Sequence, residues 1–101
     1  MTEQKQTDNL PSTRHEVEQF LRCATVETLM LDEVDPNSIE ADKKDFLIAL
    51  GANSIDALEL MISVEERLGF EFADEELNAE LVSTLDHFAT VVCGKLGIPG
   101  K

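Results

Sequence analysis

One short segment, Leu50-Gly51-Ala52-Asn53-Ser54-Ile55-Asp56, carries residue types at a spacing that can do chemistry. Glycine gives the backbone freedom for a tight turn, and the turn delivers a single serine hydroxyl to the start of an amphipathic helix. Unpaired amides and the positive end of the helix dipole favour an anion at such a place, which suits a phosphodiester on Ser54. No His or Lys lies nearby in the sequence to act as a base. That absence argues for a serine modified by another enzyme, not for a catalytic nucleophile. The same residues also suit a plain helix cap, since Asn and Ser are both favoured there. The heptapeptide alone leaves the two readings open.

Other constellations carry less. A zinc site from His15, Cys23, His87 and Cys93 requires ligands of irregular spacing to converge. Asp74-Glu75-Glu76 allows contacts with a divalent cation, but no D-x-D-x-D-G loop is present. His87 reads as an exposed neighbour of Asp86. With no triad, metal motif or phosphate loop, the residues point to a non-catalytic protein. Two cysteines without C-x-x-C spacing predict reduced, buried thiols.

The elements that must hold the serine read as helices. The chain has 101 residues and 5% aromatics, all Phe, so its core is mainly aliphatic and suits packed helices better than a sandwich or barrel. Thr13 and Glu16 form a T-x-x-E start signal. Val17, Phe20, Leu21, Ala24 and Leu31 continue it at helical spacing, predicting a helix over 13–31 that Asp35-Pro36 stops. Residues 35–52 form a long connection, pinned to the core by Ile39, Phe46 and Leu50. A second helix spans Ser54 to Leu68 and ends at Gly69. Its core stripe is Ala57, Leu60, Met61, Val64 and Leu68, with a second stripe, Ile55, Leu58 and Ile62, beside it. A short third helix fits Asp74 to about Asn78. A fourth starts at Ser83, buries Leu85, Phe88, Ala89 and Val92, and frays at Gly94 and Gly97. The expected fold is an all-α four-helix bundle with three longer helices and one short third helix. The domain covers 12–96, between a flexible N-terminal tail at 1–11 and a C-terminal tail at 97–101.

Charge narrows the partners. Twenty-one acidic residues against eight basic ones give a net charge of -13. Nucleic acid and anionic lipid would be repelled, so the expected partners are proteins with basic patches, or cations. No apolar run approaches the roughly 18 residues of a membrane span. The polar segment Met1–Asn9 lacks the apolar core of a signal peptide. A cytoplasmic monomer is the expectation.

The segment from Phe46 through Phe72, FLIALGANSIDALELMISVEERLGFEF, resembles the acyl carrier protein family. The resemblance rests on Leu50-Gly51, Ser54, Asp56, Leu58-Glu59-Leu60, Glu65-Glu66 and the Gly69 to Phe72 exit. The acidic Asp74-Glu75-Glu76 and the last helix sit where the family has its third and fourth helices, so the likeness covers about residues 14–93. It implies that Ser54 carries a covalent 4'-phosphopantetheine arm, transferred from coenzyme A by a phosphopantetheinyl transferase, whose thiol holds an acyl group as a thioester. It also implies docking of the second helix on basic patches of acyl-loading and acyl-processing enzymes. Residues 56–80 hold nine acidic side chains and one basic one, Arg67. The docking set is Asn53, Asp56, Glu59, Glu65 and Glu66 with the apolar Ile55, Leu58 and Ile62. Leu60, Met61, Val64 and Phe88 are the candidates for lining an acyl-chain pocket.

Some positions depart from the family pattern. Asn53 stands where most fatty-acid carriers have Asp, Ile55 where Leu is usual and Ala73 where Pro is frequent. The reading is a specialised, free-standing acyl carrier for fatty-acid, lipid or polyketide-type synthesis. An aminoacyl or peptidyl carrier, which Asn53 favours, is the alternative, and an acidic binding-only protein a remoter one.

Overall fold

A computed structural model of the chain describes residues 10–98. Of the expected tails at 1–11 and 97–101, residues 1–9 and 99–101 lie outside the described residues. Helix α1 spans Arg14–Thr28, α2 Phe46–Ala49, α3 Ser54–Leu68 and α4 Leu85–Leu96, with single 3-10 turns at Pro36–Ser38 and Asp74–Glu76. Among the described residues there is no strand. The fold is the expected all-helical bundle. Helix α1 packs against both α3 and α4, and the apolar faces of the three long helices share one core.

The start of α1 is a modified capping box. The Thr13 hydroxyl accepts from the Glu16 amide at 3.1 Å, but the Glu16 carboxylate reaches past Thr13 to the Ser12 amide at 2.8 Å and the Ser12 hydroxyl at 3.1 Å. The helix ends three residues earlier than its apolar spacing predicts. Met30 takes a left-handed conformation, φ 55, its amide donates to Glu27 O and the Leu31 amide to Val26 O. This is the paired closure that glycine ordinarily makes. Met30 is 81% exposed, so its side chain contributes no core contact. Met30→Gly is therefore expected to stabilise the protein by about 0.5–1 kcal/mol, seen as a rise of a few degrees in Tm.

The connection from α1 to α3 is held at several points. The Asp45 amide donates to Ser83 O at 2.6 Å, the Asp86 amide to Ala41 O at 2.8 Å, and Arg22 Nε to Ile39 O at 2.8 Å. Ile39, Phe46 and Leu47 are buried and Leu50 half-buried. Because Ser83 O serves Asp45, the cap of α4 falls one residue on. The Thr84 hydroxyl accepts from the His87 amide at 2.9 Å. Arg14 ties α1 to α4 through Thr90 Oγ1 at 3.0 Å, Asp86 O at 3.0 Å and the Asp86 carboxylate.

Three further expectations change. The short third helix is only the 3-10 turn Asp74–Glu76, too brief to complete an α-helical turn. Gly94 lies inside α4, and Gly97, at φ 73, closes it with the Ile98 amide on Cys93 O. Cys93 is buried, and burial pushes its thiol up from the ordinary value, but Cys23 is exposed on the solvent side of α1.

The Glu76 carboxylate closes its turn by accepting from the Ala73 amide at 2.7 Å and pairs with Lys95 of α4 at 2.8 Å. Lys95 first, then the Ala73 amide, hold this carboxyl below its ordinary value. A depressed carboxyl contributes stability that is present above its unfolded value and lost as pH falls through the folded one. In a side-chain NMR titration Glu76 is thus expected to protonate later than unpaired glutamates as acid is added. Lys95→Gln should move it back towards them.

Candidate functional site

Two consecutive local structures place Ser54. Helix α2 is closed by Gly51 at φ 90, whose amide donates to Ile48 O at 2.9 Å, while the Ala52 amide donates to Leu47 O at 2.9 Å. A side chain at that φ would be strained, which explains the glycine. Asn53 then caps α3. Its Oδ1 accepts from the Asp56 amide at 2.8 Å, and the Asp56 carboxylate accepts from the Asn53 amide at 3.2 Å. Ser54 is the first helical residue and is exposed. The capping duty thus falls on Asn53, and among the described residues nothing hydrogen-bonds to the Ser54 hydroxyl or to the Ser54 and Ile55 amides. An exposed, unengaged hydroxyl beside unpaired first-turn amides fits a phosphodiester.

Beside Ser54 opens a cleft of about 530 Å³ between α2, the first half of α3 and residues 77–82. Its apolar walls include Leu47, Ala57, Leu58, Met61, Leu77 and Val82, with Asp45 and Asn78 among the polar groups. Of the four residues expected around an acyl chain, Met61 lies on this wall. Leu60, Val64 and Phe88 do not: they are fully buried in the core. For Leu60 and Val64 the reason is rotation along α3, whose stripe of Leu60, Val64 and Leu68 faces into the core shared with α1 and α4, and Phe88 belongs to the buried face of α4. The walls supplied by α2 and 77–82 depend on long-range packing, and nothing in the local periodicity marked them.

The docking set separates into two groups. Ile55, Leu58 and Ile62 are 67%, 41% and 39% exposed, and Glu59 and Glu66 are exposed with no hydrogen bond among the described residues. Asp56 is engaged in the capping box. Glu65 is half-buried, and its carboxylate accepts from the Phe72 amide at 2.6 Å, fixing the exit of α3. Arg67, the exception in the acidic stretch, turns back to α1. It pairs with Glu27 at 3.0 Å and lies 5.0 Å above the Phe20 ring. One exposed apolar residue near the serine escaped the sequence reading: Ile48 of α2, 70% exposed. It belongs to the apolar run Phe46-Leu47-Ile48, of which the sequence singles out only Phe46 as a core contact.

Among the described residues, no group of three or more His, Cys, Asp or Glu side chains is placed to hold a metal ion. Among them, too, no helix is long and apolar enough to cross a membrane.

Comparison with known proteins agrees with this geometry. The family described as "Phosphopantetheine attachment site" matches residues 19–92. An acyl carrier protein of Campylobacter hominis is 37% identical over 71 residues, covering 70% of this chain and 84% of that protein. An acyl carrier protein of Wolinella succinogenes is 38% identical over 52 residues, covering 52% of this chain and 64% of that one. No solved structure matches. The chain therefore belongs to the acyl carrier protein family, whose members carry acyl groups on a covalent 4'-phosphopantetheine.

Proposed function

We propose that Ser54 is the residue that bears the phosphopantetheine and that the chain is a specialised acyl carrier in fatty-acid, lipid or polyketide-type synthesis. The observation that carries this reading is the Ser54 hydroxyl, exposed and unengaged at the head of α3 on the rim of an apolar cleft. When attached, the arm supplies a thiol that holds the acyl group as a thioester. The chain's own residues do the rest. The Ser54 and Ile55 amides and the α3 dipole offset the phosphate charge. Asn53 adds no negative charge beside it, unlike the Asp of most fatty-acid carriers, and so acts on which transferase accepts the protein.

The cleft suits an acyl chain, since each buried methylene gains about 0.8 kcal/mol. Those apolar walls, together with the acidity of α3, favour acyl cargo over an aminoacyl or peptidyl load. Glu59 and Glu66, with Ile55, Leu58 and Ile62, present the face for basic patches on the transferase and on acyl-loading and acyl-processing enzymes, while Asp56 and Glu65, each bound to a backbone amide, add negative potential behind it. Weak, steered encounters on such a face suit a cytoplasmic shuttle that must leave each partner quickly.

Intact mass after incubation with coenzyme A and a broad-specificity phosphopantetheinyl transferase tests the attachment. One phosphopantetheine increment is expected. No increment with two different transferases, while a known carrier is labelled in parallel, rejects the reading. Loading a long acyl group should then shift the NMR signals of Met61, Leu77 and Val82. Changes confined to exposed residues would remove the cleft from the account.

A further inference from the structure

We propose that Ile48 is a second docking contact, an apolar projection from α2 that the transferase modifying Ser54 engages on the side of the serine opposite α3. The proposal rests on Ser54 being the attachment residue. Six large apolar side chains are exposed among the described residues: Leu10, Met30, Ile48, Ile55, Leu58 and Ile62. Ile48, Ile55 and Leu58 line one cleft together with Ser54, and Ile62 follows one helical turn after Leu58. A lone exposed isoleucine is ordinary. Three that share a cleft with one modifiable hydroxyl, continued along α3 by Ile62, on a chain of net charge -13, make an apolar patch that needs a partner.

The fold has no use of its own for the Ile48 side chain, because Phe46 and Leu47 supply the burial of α2. Its backbone, by contrast, is fixed relative to the serine. Ile48 O accepts from the Gly51 amide in the turn that leads to Ser54, and the Asp45 amide anchors the start of α2 on Ser83 O. The projection is therefore preorganised.

The occupant follows from reach and from charge. An enzyme that delivers a group to Ser54 Oγ must cover the ground around it, and a standard interface occupies about 800 Å² on each partner. The rim of the serine's own cleft falls inside such a footprint. On the α3 side that partner meets Glu59 and Glu66, so it carries basic groups there. Helix α2 has no charged residue, so the partner's surface facing it is an apolar recess. The two halves of the contact should then respond differently to salt, since screening weakens ion pairs and leaves apolar burial in place.

The test uses the full chain, coenzyme A and a broad-specificity phosphopantetheinyl transferase, with initial rates followed against carrier concentration at low salt and at about 0.5 M salt. Ile48→Ser is expected to raise KM about tenfold at both salt concentrations with kcat unchanged, as the loss of a buried isoleucine at an interface would. Ile48→Leu should restore KM. Glu59→Gln should raise KM at low salt only. Matching melting curves verify that the variants are folded, as the exposure of Ile48 leads one to expect. A KM for Ile48→Ser within about twofold of wild type overturns the proposal. If that unchanged KM comes with a lower Tm of the long-chain acylated protein, Ile48 belongs to the cargo instead. If the wild-type chain itself takes no increment, the assignment of Ser54 fails first and takes this one with it.

Discussion

Ser54→Ala is expected to abolish the phosphopantetheine mass increment completely while leaving the fold unchanged. The loss is all-or-none because one oxygen makes the bond. The fold is spared because that oxygen has no partner within the protein among the described residues, and Asn53 and Asp56 keep the cap of α3. The change in unfolding free energy should stay within about 0.5 kcal/mol. Asn53→Ala should behave in the opposite way, keeping the hydroxyl and costing about 1 kcal/mol through the lost cap. Intact mass and thermal melts on the two variants separate attachment from capping. An increment that survives Ser54→Ala would move the site to Ser12, Ser38, Ser63 or Ser83 and end the assignment.

Phe88→Ala is expected to have the largest effect on stability, about 3–5 kcal/mol. Phe88 is fully buried, its ring centroid is 6.2 Å from that of Phe72, and Phe72 meets Phe70 edge-on at 5.0 Å. The three rings join the exit of α3 to α4, so truncation opens a cavity where two elements meet. Small domains have only about 5–15 kcal/mol in total, so this variant should unfold at markedly lower urea. The check is a urea titration read by circular dichroism. A loss below about 1 kcal/mol would mean that Phe88 borders yielding space, as a cargo pocket requires, and not a close-packed core.

The parts of the fold that were legible are those written in local pattern. Helix α3 matches its predicted bounds because Asn53, Gly69 and two apolar stripes mark it from both ends and from within. The end of α1 was not legible because a methionine does the work of a glycine at position 30. Helix α2 is four residues long, shorter than any window in which a period can be counted. Spacing left a cap and an attachment point both open, and only the family resemblance favours the second. The place of the serine at the head of α3 and its exposed neighbours could be read from spacing. The cleft could not, since Leu47, Leu77 and Val82 reach it only through the packing of distant segments. The same limit applies to Leu60, Val64 and Phe88: periodicity marks them as inward-facing without saying whether they face the cleft or the shared core, where the structure places them. Nor does sequence distinguish a glutamate that awaits a partner, such as Glu59, from one already engaged, such as Glu65 on the Phe72 amide.

The position of Arg67 has a consequence for how copies of this protein treat one another. Drawn back over Phe20 and held by Glu27, its cation leaves the outward side of α3 with a single sign. Two copies approaching with these helices face to face therefore meet like charge with no cation to bridge it. Self-association through this face of α3 is thus disfavoured, and more strongly at low salt than at high.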